Sequence, residues 1–208
     1  IMSPDTRAPS CKRTSRLQKT GLVVGEHEIL TTADELFDRT LIRLQKDGRG
    51  RWYIGDVTWI DYYANLALVT TSEAEFWRDL KPASLGGAKA TDGALQILRW
   101  RGGNLENRRA EFSQFTVREG QLSGVNHVVL EADSDIQGVG WGEPMVANGQ
   151  VVGLLAAQDG RTCIATPVSF IRSILDARRQ GRYRGLGFFH FFWQQAENPA
   201  SLARLKLD

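Results

Sequence analysis

The amino-acid sequence predicts an all-β chain built as two lobes and closed by a single helix. Three observations carry this prediction. From Gly21 onward, short apolar runs with strand-type alternation recur between turn signals about 8–12 residues apart. A connector from Ser72 to Lys89 holds a charged helical turn, Pro82 and the paired Gly86 and Gly87, and it divides the runs into two groups. Near the end, Val168, Ile171, Ile174 and Leu175 fall at helical spacing, and the helix stops at Gly181.

Bulk properties set the outer limits. The 208 residues suffice for one large β domain or two small lobes sharing a cleft. Hydrophobic residues make up 42% and charged residues 24%, an ordinary globular composition. The 26 basic and 24 acidic residues leave a net charge of +2, which gives no argument for nucleic acid or a membrane surface as partner. The longest apolar run, Val151 to Ala157, is too short to span a bilayer as a helix. Cys11 and Cys163 read as two small buried residues or as one disulfide joining the N-terminal arm to the second lobe. Two cysteines so far apart do not make a zinc site.

In chain order, residues 1–19 are polar and basic and read as an arm, with an edge strand near Cys11. GLVVG (Gly21 to Gly25) and EILTT (Glu28 to Thr32) are strands around a tight turn that contains His27. ADELFD is a brief helical turn. Thr40 to Asp61 reads as two strands around the turn DGRG, with Trp52, Ile54, Val57 and Trp59 in the second. NLALVTT, from Asn65, completes the first lobe. After the connector come ALQILRWRG, AEFSQFTVREG and VNHVVLEAD. VVGLLAAQDG and RTCIATPV then form a hairpin around Asp159 and Gly160. No 20–50-residue repeat is present. The segment from Gly181 to Asp208 changes character, with aromatic residues crowded around His190.

The stretch LEADSDIQGVGWGEPMV, Leu130 to Val146, holds the candidate site. Gly138, Gly140 and Gly142 alternate with larger residues, so the backbone can turn tightly and present N–H groups to a negative charge. The most prominent side chain in the loop is Trp141, which carries an N–H donor and no nucleophile.

A series of motifs in order gives a resemblance. LTTAD (Leu30 to Asp34) resembles the Leu-Thr-x-Ala-His segment of trypsin-like serine proteases of the HtrA/Deg type. DYYANLALV (Asp61 to Val69) resembles the family's Asp-x-x-x-Asp-Leu-Ala-Leu-Leu. LEADSDIQGVGWGEPMV aligns without a gap with the nucleophile segment, Leu130, Asp133, Ile136, Gly142, Pro144 and Val146 falling on like types. VVGLLAA and IATPVSFIRSIL are similar to the strand and closing helix that follow, and YRGLGF to the start of a PDZ domain. The resemblance implies two six-stranded antiparallel β-barrels with a C-terminal helix. It divides the chain into an arm (1–19), a first barrel lobe (20–80), a second barrel lobe with the helix (81–180), and a linker with the beginning of a PDZ-like domain (181–208).

Carried over residue by residue, the resemblance places Asp34 at the catalytic histidine, Asn65 at the catalytic aspartate and Trp141 at the serine. A carboxylate is too weak a base to take a serine proton at neutral pH, and Asn65 has no imidazole to orient. Val139, two before the nucleophile position, disfavours the positive φ of the glycine it replaces. Glu143 replaces another glycine and brings negative charge toward the place of an oxyanion. The expectation is a pseudoprotease, with no catalytic residues and no cofactor or metal, that binds protein or peptide. The candidate binding residues are Trp141, Val139, Gly140 and Glu143, with Tyr62 and Tyr63 as an aromatic surface near the old cleft. Trp141 is expected either to plug the vacated cleft and pack under Met145 or to contact a partner.

Two other readings stay open. One is an HtrA-like endopeptidase of protein quality control that is active through residues placed elsewhere, Ser134 being the candidate nucleophile and His27 and His127 the candidate bases. The other is a regulatory subunit paired with an active homologue. Asp133 and Asp135 read as solvated loop acids, and a metal site with Asp34 has nothing in its spacing to require it. By resemblance the chain is oligomeric, as a trimer, and resides in the periplasm or another extracytoplasmic space.

Overall fold

The computed structural model describes residues 16–36, 41–120, 122, 124–187 and 204. The expected strand near Cys11 and the aromatic run of the PDZ-like segment lie outside these residues.

The first lobe contains five strands: β1 (Leu22–Gly25), β2 (Glu28–Thr31), β3 (Ile42–Gln45), β4 (Trp52–Asp61) and β5 (Leu66–Thr70). They form one antiparallel sheet in the order β1-β2-β5-β4-β3. Five of the six strands expected in the first barrel lie among the described residues, where the ladder has two ends, β1 and β3. Alternation builds the inner face. Ile29, Tyr53 and Val69 pack with Phe76 of the short helix α1 (Ala74–Trp77), while Leu30, Leu66 and Leu68 turn toward the second lobe.

The second lobe has six strands: β6 (Leu95–Arg101), β7 (Asn104–Glu119), β8 (Asn126–Ser134), β9 (Pro144–Ala147), β10 (Gln150–Asp159) and β11 (Thr162–Pro167). Their ladders run β10-β11-β8-β7-β6-β9 and return to β10, a closed ring with no free edge. Two details depart from the strand expectations. β7 begins at Asn104 rather than Ala110, because Gly102 and Gly103 take positive φ and turn the chain straight back along β6. Pro144–Ala147 is a strand rather than the tail of a loop, and it closes the ring by pairing with both β6 and β10. Leu95, Ile97, Leu130, Met145, Leu155 and Cys163 fill the interior. Cys163 is a free, buried thiol; burial pushes its pKa up to about 11, which leaves it inert at neutral pH.

Helix α2 (Val168–Arg179) lies against both lobes. The four apolar positions read from the sequence, Val168, Ile171, Ile174 and Leu175, are its buried ones. Ile171, Ile174 and Leu175 join Val24, Leu30, Leu66, Leu68 and Leu154 in one cluster. Each such side chain contributes about 1.5–3 kcal/mol on full burial. At its C-terminal end Arg178 pairs with Glu28 at 2.9 Å, and Arg179 donates to the Val24 carbonyl at 3.1 Å. Beyond it, the Tyr183 hydroxyl donates to Asp61 at 2.6 Å. The helix therefore fixes one lobe on the other, and with them the loop Ser134–Pro144 against the first sheet. None of the helices described is long and apolar enough to cross a membrane.

Candidate functional site

Asp34, Asn65 and Trp141 come from three separate parts of the chain, and the fold assembles them around Lys19. Asn65 turns tightly after β4, with φ of 51°. Its Oδ1 accepts hydrogen bonds from the N–H groups of Ala33 (2.9 Å) and Asp34 (3.0 Å). One buried side-chain oxygen thus satisfies two buried donors and holds the strand end that carries Asp34. Asp34 is itself only 4% exposed.

Lys19 completes the cluster. Its ammonium donates to the Asp34 main-chain carbonyl at 2.9 Å and lies 3.0 Å from Oδ1, an oxygen with no other donor among the described residues. The same ammonium stands 5.2 Å from the centroid of the Trp141 ring, a cation–π contact. Burial lowers the Lys19 pKa, and the negative charges of Asp34 and Glu143 oppose that effect. Trp141 is half-buried and covers this ion pair, whereas Met145 is fully buried in the interior of the ring. The Trp141 carbonyl accepts from Thr20 N–H at 2.9 Å, so the segment that supplies Lys19 is pinned to the loop by its neighbour.

Two of the loop's N–H groups, those of Gly140 and Trp141, take their acceptor from the loop itself. Glu143 is 3% exposed, and its Oε2 accepts from Gly140 N–H at 2.9 Å and from Trp141 N–H at 2.8 Å. A carboxylate held by two amide donors is a charge-assisted arrangement of the kind that binds an anion. Here the anion is a side chain two residues downstream. Positive φ falls on Gly138 (68°), Gly140 (114°) and Gly142 (91°), while Val139 is not among the positive-φ residues and is buried in the second-lobe interior. The loop therefore follows a path that leaves Val139 unstrained.

Supports from the ring hold the loop in place. Gln158 on β10 accepts from Gly138 N–H (3.0 Å) and Val139 N–H (3.3 Å) and donates to the Ile136 carbonyl (2.6 Å). Arg99 on β6 donates to the carbonyls of Gln137 (2.8 Å) and Gly138 (3.0 Å) and is paired with Glu106 at 2.7 Å. Gly142 N–H donates to Leu155 O, and Leu155 N–H returns a bond to Glu143 O. There is no room for a side chain at position 142: a Cβ there would lie 2.6 Å from Thr20 O and 2.8 Å from Thr31 Oγ1. Gly142→Ala is expected to cost about 3 kcal/mol of folding stability from strain and overpacking combined, measured by urea denaturation.

The remaining candidates lie elsewhere. Ser134 is buried; its hydroxyl donates to Arg109 O at 2.8 Å and accepts from Ile136 N–H at 3.3 Å. Asp133 accepts from Thr162 at 2.9 Å, and Asp135 is exposed. His127 stacks on Phe170 with centroids 6.0 Å apart, and His27 packs on Trp77 at 5.1 Å. Tyr62 packs beside Ala33, Leu36 and Ala67, and Tyr63 is 58% exposed on the same turn. Among the described residues no group of three His, Cys, Asp or Glu side chains could hold a metal ion. Lys19, Arg99 and Gln158 are the functional-site residues that the sequence did not single out. A basic arm and two polar residues on strands carry no signal of what they will meet in space.

No protein-family model matches the chain. Among curated proteins it is 24% identical over 186 residues to Protease Do-like 4, mitochondrial, of Arabidopsis thaliana, a match covering 86% of this chain and 36% of that protein. It is 20% identical over 194 residues to the serine protease DegP homolog of Plasmodium falciparum, covering 90% of this chain and 22% of that one. The chain thus spans about a third or less of the curated relatives it matches. Among solved structures, an inactive serine-to-alanine form of Rv3671c from M. tuberculosis superposes with a TM-score of 0.65 at 18% identity, covering 81% of this chain and 84% of that one. The HtrA-type protease AlgW, solved with a decapeptide, superposes with a TM-score of 0.63 at 17% identity, covering 78% of this chain and 51% of that one.

Proposed function

We propose that this chain, which has the trypsin-like serine protease fold of the HtrA/Deg type, is a protease-like domain without hydrolytic chemistry that acts by binding protein or peptide. One observation carries the reading: the Glu143 carboxylate fills the paired N–H groups of Gly140 and Trp141. Acyl transfer needs such donors free to stabilise an oxyanion as it forms. The resident carboxylate takes the Trp141 donor and repels a second negative charge, while Gln158 takes the Val139 N–H two residues before it. The other substitutions point the same way. Trp141 supplies no nucleophile, Asp34 is neutralised by Lys19, and Asn65 spends its side-chain oxygen on the backbone. Loss of all three triad groups removes on the order of 10⁶-fold in rate.

On this reading Trp141, with the tyrosines of the Asp61–Asn65 turn, faces a partner rather than a scissile bond. The partner is an extended peptide, a second copy of the chain or an active homologue. The lobes 20–80 and 81–180 form the scaffold, followed over 181–208 by a linker and the beginning of a PDZ-like domain. An extracytoplasmic location and trimeric assembly belong to the same proposal.

The test is chemical. The chain is expected to show no labelling by a fluorophosphonate serine probe and no cleavage of unfolded casein. Labelling that disappears in Ser134→Ala would instead support a peptidase working through residues outside the aligned triad. It would overturn the reading.

A further inference from the structure

The segment that follows α2 is tied to the candidate site by a chain of hydrogen bonds. Gly181 takes φ of 66°, its N–H donates to Arg178 O at 2.9 Å, and Arg182 N–H donates to Ala177 O at 2.8 Å. This paired closure ends a helix on a glycine and sets the direction of the chain beyond it. Ala177 O also accepts from Tyr183 N–H at 3.1 Å. Within residues 181–187 the partly buried side chains are Tyr183 and Leu186, both against the cluster that contains Leu30, Ala64 and Leu66. A segment held by so few buried side chains opens more readily than the sheets beneath it.

Tyr183 reaches the turn between β4 and β5. Its ring meets Trp59 edge-on, with centroids 5.8 Å apart, and its hydroxyl donates to Asp61 Oδ2 at 2.6 Å. Burial and the Asp61 carboxylate both raise the Tyr183 pKa above its ordinary 10, so the phenol keeps its proton and remains a donor. The other oxygen of Asp61, Oδ1, accepts from Ala64 N–H at 2.9 Å. That bond closes the turn in which Asn65 takes its positive φ. Asn65 Oδ1 holds the N–H groups of Ala33 and Asp34, and Asp34 holds Lys19 beside Trp141. Tyr62 and Tyr63 lie in the same turn. The two oxygens of Asp61 therefore join the segment after α2 to the residues read as the binding face. A carboxylate held from both sides has one orientation, and loss of the phenol frees it to rotate away from Ala64.

We propose that Tyr183 and Asp61 form a latch: docking of residues 181–187 on the first lobe positions the Asp61–Asn65 turn and the strand end bearing Asp34, and release of that segment loosens the binding face. Tyr183 acts through Asp61 and is a positioning residue. The proposal rests on the reading of Trp141, Tyr62 and Tyr63 as that face. The coupling is reciprocal, so a partner that favours the ordered turn also favours the docked segment. Tyr183 could instead do no more than pin the end of α2, in which case the turn would not respond to it.

Backbone amide hydrogen exchange, followed by NMR on the full chain, separates these roles. Tyr183→Phe removes one hydroxyl and keeps the ring on Trp59. It is expected to speed exchange at Ala64, Ala33 and Asp34 by about tenfold, while Leu154 and Ala165 in the β10–β11 ladder stay within about twofold. Leu186→Ser loosens the same segment without touching Asp61 and should give the same pattern. Unchanged exchange at Ala33 and Asp34 in either variant would overturn the proposal. Equal acceleration in the β10–β11 ladder would overturn it too, by showing general destabilisation. Labelling by a serine probe would sink the binding reading and leave this coupling standing, whereas unmoved Ala33 and Asp34 amides would sink the coupling alone.

Discussion

Replacing Lys19 by methionine is expected to lower folding stability by about 3–5 kcal/mol, the cost of leaving one member of a buried ion pair without its partner. The expectation rests on three observations. The Lys19 ammonium lies 3.0 Å from Asp34 Oδ1, that oxygen has no other donor among the described residues, and Asp34 is 4% exposed. Lys19→Met/Asp34→Asn should recover a large part of the loss, because an amide in place of the carboxylate carries no charge to desolvate. Urea denaturation of the two variants measures this, and equal stability of the single and double variants would remove the ion pair from the account. The pH dependence has a definite sign. Burial lowers the Lys19 pKa in the folded state from its ordinary 10.5, so the unfolded chain holds that proton more tightly. Stability from this group therefore rises as pH climbs through the folded pKa toward 10.5, and Lys19→Met should lack that rise.

Glu143→Ala is expected to cost about 2–4 kcal/mol, since two inward-facing N–H groups lose their acceptor and each buried unsatisfied donor carries a penalty of about 1–3 kcal/mol. Glu143→Gln should cost less, because its amide oxygen can still accept from Gly140 and Trp141. The same carboxylate decides what rebuilding the triad can achieve. Trp141→Ser alone should give no turnover. Asp34→His/Asn65→Asp/Trp141→Ser should still resist a fluorophosphonate probe, since occluded oxyanion donors alone are worth about 10²–10³ in rate. Adding Glu143→Gly frees the Gly140 and Trp141 donors and removes the resident charge, and is the step expected to bring detectable labelling. Labelling of the triple variant with Glu143 in place would show that the carboxylate does not block the loop.

Periodic features of this protein were legible before the structure. The apolar positions of α2 follow from a spacing near 3.6 residues, and the hairpin at Asp159 and Gly160 from its turn residues. Asp34, Asn65 and Trp141 were legible by position in their motifs, and the fold brings them into one cluster. Other features were not legible. The early start of β7 depends on how Gly102 and Gly103 turn, and β9 is a strand because two neighbours offer it ladders. Its four residues hold too little pattern to announce themselves.

By itself the sequence determined the chemistry available at each position: a loop rich in glycine, with Trp141 at its centre and the carboxylate of Glu143 two residues on. Local residue type and spacing suffice for that. Only the tertiary structure decided what those groups do to one another. It brought Lys19 from the arm to Asp34 and turned the Glu143 carboxylate back onto the N–H groups of its own loop. Each of these is a contact or pairing set by how the two lobes and α2 pack. Such packing depends on groups distant in the chain, which no local pattern records. The glycine loop built to receive a negative charge thus already holds one.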